Sequence, residues 1–111
     1  MNKLFIFLFI ALMACSPKIV TFTQSDVERA SAKFPGTTEA SLIEGRTHYQ
    51  TNCATCHLLK SPTSHSEEGW RNWVPKMVVK ANEKAGKIII DPKMEESILA
   101  YLVTMTTAPS K

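Results

Sequence analysis

Cys53-Ala54-Thr55-Cys56-His57 is the stretch of the chain whose residue types and spacing could do distinctive chemistry. Two thiols two residues apart, with histidine immediately after, form the attachment pattern of a c-type haem. Each thiol can add across one porphyrin vinyl group to give a thioether. The histidine is then held beneath the ring, where a neutral imidazole nitrogen can ligate the iron. A thiol redox pair would be expected in a thioredoxin-like βαβ setting, and no such pattern is visible. A structural zinc site needs a second, similarly spaced ligand pair. The only other cysteine is Cys15, and His48 and His65 are too far apart in sequence to form that pair. A chance occurrence is the remaining alternative. The reading taken is covalent haem at Cys53 and Cys56 with His57 as proximal iron ligand; the motif occurs once and no internal repeat is present, so one haem per chain is expected.

An iron that only transfers electrons usually has both axial positions filled, and thioether sulfur as the second ligand raises the potential. The methionines beyond the leader are Met77, Met94 and Met105, with His48 and His65 as nitrogen alternatives. Met94 and Met105 fall on one apolar helix stripe, where methionine commonly fills a core. Met77 follows His57 by 20 residues, past a loop able to fold over the other haem face. Met77 is the residue taken as distal ligand. His65, in a Ser-rich stretch, is read as a surface residue, and His48 as a solvated one.

The elements that must position these residues are helical. A short helix is expected from Ser25, with Ser25 as cap, to Phe34, stopped by Pro35-Gly36. A second opens at Thr38 or Ser41 and runs to about Asn52; Leu42, Gly45, Tyr49 and Cys53 form one stripe along it. Gly45 costs about 1 kcal/mol against alanine in a helix interior, which suggests close approach of another helix. Pro62 forbids a long helix after the motif, and a carbonyl near it is the expected acceptor for the second ring nitrogen of His57. A third helix starts at Ser66, with Trp70, Val74, Met77 and Ala81 on one face. Pro75 is expected to kink or break it, and 82–86 reads as a turn. Ile88-Ile89-Ile90 reads as a short extended segment. Asp91-Pro92 opens a last helix with Met94, Ile98, Tyr101, Leu102 and Met105 inward.

The first residues are of another kind. Lys3 precedes an uncharged apolar run, Leu4 to Met13, too short to span a bilayer, which takes roughly 20 residues, and suited to a secretory leader. Leu12-Met13-Ala14-Cys15 resembles a bacterial lipoprotein signal. That resemblance implies cleavage before Cys15, lipidation of its sulfur and usually acylation of the new amino terminus. The expected organisation is a signal peptide over 1–14, a lipidated Cys15 with a tether to residue 24, and a folded domain over 25–108. Ser16 to Gln24, fully extended, reaches at most roughly 30 Å. Several acyl chains, at about 0.8 kcal/mol per buried CH2, make a durable anchor. The expected place is an extracytoplasmic membrane surface, on the periplasmic side or at the outer membrane, where c-type haem is attached.

Composition bounds the rest. At 111 residues there is one small domain at most. The net charge of +3 and pI near 8.8 are mild, and no basic run is interleaved with aromatics, so nucleic-acid binding is not expected.

With these residues placed, residues 25 to about 107 resemble the small monohaem class I cytochromes c. Gly45 and Tyr49 match that family's helix before the haem motif, and Ile98 and Tyr101 match the C-terminal helix it crosses. Glu68, Trp70, Val74 and Met77 match the middle helix of a compact subgroup, in which the methionine ligates iron. The resemblance implies an all-α fold around one covalent haem c, with N- and C-terminal helices crossing. It implies an electron carrier rather than an enzyme, with redox protein partners. Alternatives are a haem subunit of a larger periplasmic oxidoreductase and a haem gas sensor or enzyme with an open sixth site. Lys60, Lys76 and Lys80 could face an acidic partner or simply be solvated.

Overall fold

A short polar residue opens each helix. In the computed structural model, which describes residues 22–55 and 58–109, α1 spans Gln24–Lys33, α2 Glu39–Asn52, α3 Glu67–Ala85 and α4 Pro92–Thr106. Thr23 caps α1: its Oγ1 accepts from the Asp26 N–H at 3.1 Å while its own N–H donates to Asp26 Oδ2 at 2.9 Å. The expected cap, Ser25, lies inside the helix instead. Thr23 wins because an acid sits three residues after it and closes a capping box. Thr38 and Ser41 make the same reciprocal pair for α2. Ser66 caps α3, and Asp91 with Pro92 opens α4 as expected. The domain is all-α; no strand occurs among the described residues.

The folded part begins before Ser25. Phe22 is buried and meets Tyr101 edge-on, with ring centroids 6.0 Å apart. The leader, Cys15 and the first tether residues lie outside the described residues, and no described helix is long and apolar enough to cross a membrane.

α2 and α4 form the most extensive helix pair. Leu42 and Tyr49 from one and Ile98, Tyr101 and Leu102 from the other are buried. Gly45 sits where the two backbones meet. A Cβ there would lie 2.0 Å from the Ser97 carbonyl oxygen and 3.1 Å from Tyr101 Cβ, so the close approach inferred from a helical glycine is present. α1 is fastened to α4 by Arg29, whose guanidinium donates to the Thr104 carbonyl at 3.0 Å and to Asp26 at 2.8 Å.

α3 departs from expectation in two ways. It runs unbroken through Pro75. Pro75 and Arg71, whose carbonyl loses its helical partner there, are both exposed, so water can satisfy that oxygen. The helix also continues through 82–85 and ends at Gly86, in the left-handed region at φ +69. Asn82 reads locally as a turn residue, yet its side chain is used across the fold. Its Nδ2 donates to the Ile90 carbonyl at 3.1 Å, and its Oδ1 accepts from the N–H groups of Ile89 (2.9 Å) and Ile90 (3.0 Å). These bonds turn the chain so that Ile90 is buried while Ile88 stays exposed. Asn82→Ala should therefore lower stability by about 2–3 kcal/mol, because half-buried backbone groups lose their partners. The urea midpoint measures this; an unchanged midpoint would mean that water replaces all three bonds.

Of the expected inward positions on α3, Trp70, Val74 and Ala81 are buried, Val78 joins them, and Met77 is half-buried. Met94 and Met105 on α4 are likewise half-buried against the core.

Candidate functional site

Cys53 is the C-cap of α2, its N–H donating to the Tyr49 carbonyl, and begins a short 3-10 turn over Cys53–Thr55. Cys56 and His57 lie outside the described residues. Cys53 is half-buried and lines a cavity of about 420 Å³. That volume falls in the range of cofactor pockets, roughly 300–1,000 Å³.

Four residues of α3 make one wall. Trp70, Met77 and Ala81 come from the buried side of α3, and Trp73 comes from its edge. Tyr49 and Asn52 of α2 complete the side next to Cys53. Met77 and Cys53 thus line one cavity. Met94 lines a different groove, with Phe34, Glu44 and His48. Met105 lines neither.

The loop after the motif is held by two aromatic side chains. The Tyr49 hydroxyl donates to the Lys60 carbonyl at 2.5 Å, and Trp70 Nε1 donates to the Pro62 carbonyl at 2.7 Å. The Tyr49 and Trp70 rings meet edge-on at 6.1 Å. Burial, with Cys53 and Tyr101 beside it, pushes the Tyr49 hydroxyl up to about 12, so it remains a donor throughout the physiological range. The Pro62 carbonyl thus accepts from Trp70; the expected acceptor for His57, a carbonyl near Pro62, concerns a histidine outside the described residues.

His65 is corrected by the structure. Read as a surface residue, it is half-buried, lines the cavity, and sets its ring edge-on to Trp70 at 4.7 Å. Gly69 makes this possible: a Cβ there would lie 3.1 Å from His65 Cβ. A glycine four residues after the histidine, at the first turn of a helix, was the available signal. Thr106 holds the same segment from α4, donating to the His65 carbonyl at 2.6 Å. His48 is half-buried at the other groove. Lys60 and Lys80 stand at the cavity, whereas Phe34 is packed in the core beneath the Arg71 guanidinium, 5.0 Å from its ring centroid.

No protein-family model, no curated protein and no solved structure matches the chain.

Proposed function

We propose that the protein is a membrane-tethered monohaem cytochrome c that carries single electrons, with the class I arrangement of helices around the haem. The observation that carries this reading is the shared cavity: Cys53, at the start of Cys-x-x-Cys-His, and Met77 line the same largely apolar space. A porphyrin is a broad, mostly apolar disc, and aromatic and aliphatic side chains are the lining it needs. Cys53 and Cys56 would hold it through thioethers, His57 would be the proximal ligand and Met77 the distal one. When bound, the haem supplies one-electron chemistry between ferric and ferrous iron. Trp70, Met77 and Ala81 give the cavity an apolar wall, and apolar surroundings would disfavour the more highly charged oxidised state and raise the potential. Tyr49 and Trp70 keep the loop at Lys60 and Pro62 in register with the motif. None of these residues is asked to bind or transform a substrate.

Residues 1–14 would be removed and Cys15 lipidated on the extracytoplasmic side. Phe22 is buried in the fold, so at most the six residues Ser16 to Thr21 separate Cys15 from the packed domain. Six residues reach at most roughly 20 Å, which keeps the domain near the membrane surface.

Absorption spectra of the mature protein in both redox states test the reading. A low-spin spectrum with a sulfur-to-iron charge-transfer band toward the red in the oxidised form is expected. High-spin iron that binds carbon monoxide in the native reduced protein would sink the carrier reading.

A further inference from the structure

We infer that the edge where the chain enters the domain, formed by Phe22 and the stripe Ile43, Arg46, Thr47 and Gln50 of α2, rests on the anionic headgroups of the bilayer, so that the cavity at Cys53 is turned away from the membrane. That a bilayer is near rests on the lipidation of Cys15 proposed above. At most the six residues Ser16 to Thr21 separate Cys15 from the buried Phe22, a reach of roughly 20 Å. The point of entry is therefore the part of the domain held nearest the lipid. The rings behind it stand in a fixed order. Phe22 meets Tyr101 at 6.0 Å, and Tyr101 meets Tyr49 at 6.1 Å. Of the three, Tyr49 alone lines the cavity, and no residue of the entry edge does. Two aromatic layers thus lie between the entry edge and the cavity.

Charge decides what this edge meets. The Arg46 guanidinium lies over the Phe22 ring, 5.3 Å from its centroid, which sets a cation at the point of entry. Ile43, Arg46, Thr47 and Gln50 follow at i, i+3, i+4 and i+7, one side of α2. Thr47 and Gln50 are exposed, and Ile43 and Arg46 are half-buried. Glu39, in the first turn, is the one carboxylate in line with them. The other side of the helix differs. There Glu44 and His48 line the groove with Asp91, Lys93 and Glu96. An anionic surface attracts the first side and repels the second, so charge and tether favour the same orientation. The attraction of one arginine fades within a Debye length, roughly 8 Å at physiological ionic strength. The tether makes it sufficient, because a domain already confined to the surface makes this contact as an intramolecular event. A protein partner for the same edge would have to enter the gap between domain and bilayer.

The test uses the mature, haem-loaded chain in its reduced state, isotope-labelled for NMR and anchored in nanodiscs of phosphatidylcholine and phosphatidylglycerol. A small fraction of the lipid carries a gadolinium chelate on its headgroup, which broadens the signals of nearby protons. The amides of Thr23, Ile43, Arg46, Thr47 and Gln50 are expected to broaden most, and the amides of 91–97 and the Trp73 indole N–H least. The contrast should shrink in pure phosphatidylcholine and as salt is raised. Arg46→Gln should weaken the contact about fivefold. Because that change also removes the cation over Phe22, Gln50→Glu is the second variant: at an exposed position it sets a carboxylate on the same stripe, and it should weaken the contact by about as much. Glu96→Gln, at the groove, should alter it less than about twofold. Uniform broadening, or broadening greatest at 91–97 or at Trp73, would overturn the orientation. So would shifts of the Arg46 stripe that grow with protein concentration in neutral detergent while nanodiscs leave it unbroadened, because the face would then belong to a second copy. Mass spectrometry reads the lipid separately. An unmodified Cys15 would sink the lipoprotein reading, and the same broadening pattern, measured after coupling that thiol to a maleimide-headgroup lipid, would still decide the surface.

Discussion

Gly45→Val is expected to leave the domain largely unfolded, and Gly45→Ala to lower its stability by about 3 kcal/mol or more. Two effects of opposite sign meet at this position. Alanine in place of glycine in a helix interior gains about 1 kcal/mol from propensity. Against this, the added Cβ would stand 2.0 Å from the Ser97 carbonyl oxygen. The obstacle is helix backbone, which cannot rotate away as a side chain end can. Relief requires α2 and α4 to move apart, which opens gaps beside Leu42, Tyr49, Ile98 and Tyr101, all buried. Overpacking of a core costs about 1–3 kcal/mol and sometimes more, and here the largest helix contact is forced open. The branched side chain of valine adds its own clashes to that separation. A small domain has roughly 5–15 kcal/mol to lose, so valine should exhaust much of it. Circular dichroism through a urea titration decides the sign. An alanine variant as stable as the parent, or more so, would mean the interface yields at little cost.

Gly45 also shows which parts of the molecule were legible in the sequence. A costly glycine on the stripe of Leu42, Tyr49 and Cys53 announced a helix crossing, because local propensity and tertiary need conflict there and only contact resolves the conflict. The starts of α2, α3 and α4 were legible for a similar reason: an N-cap is a short-range hydrogen bond between residues three apart. What failed was decided at longer range. Asn82 looks like a turn residue until Ile89 and Ile90 are brought to its amide. Pro75 looks like a break until Arg71 beside it proves to be on the exposed face. His65 looks solvated until Trp70 and Gly69 make a place for it. At the site, the joining of Met77 to Cys53 could be guessed from spacing. The two hydrogen bonds that hold the loop, from Tyr49 to Lys60 and from Trp70 to Pro62, could not. Both aromatic residues were assigned to helix stripes, and a stripe says nothing about where a polar ring atom points.

Met77→Ala should leave the haem covalently attached and lower its reduction potential by on the order of 0.1 V, axial ligation being the main control over a range of about 0.8 V. Attachment should survive because Cys53 and Cys56, not Met77, would form the thioethers. The potential should fall because thioether sulfur favours the reduced iron, and its loss also admits water to the cavity. The red charge-transfer band should vanish with it. The cavity contains one other candidate ligand among its described lining, His65, so the same measurements on His65→Ala separate the two. If Met77 is the ligand, His65→Ala keeps the band and shifts the potential only slightly, since its ring contacts Trp70 and not the iron. If His65 is the ligand, the band is absent from the parent protein and Met77→Ala changes little. Met94→Ala is the third arm. Met94 lines the other groove with Glu44 and His48, so its truncation should cost stability and leave spectrum and potential in place. A parent spectrum with the band, unaltered in Met77→Ala and lost in Met94→Ala, would require the chain around α4 to be arranged differently from the fold described above.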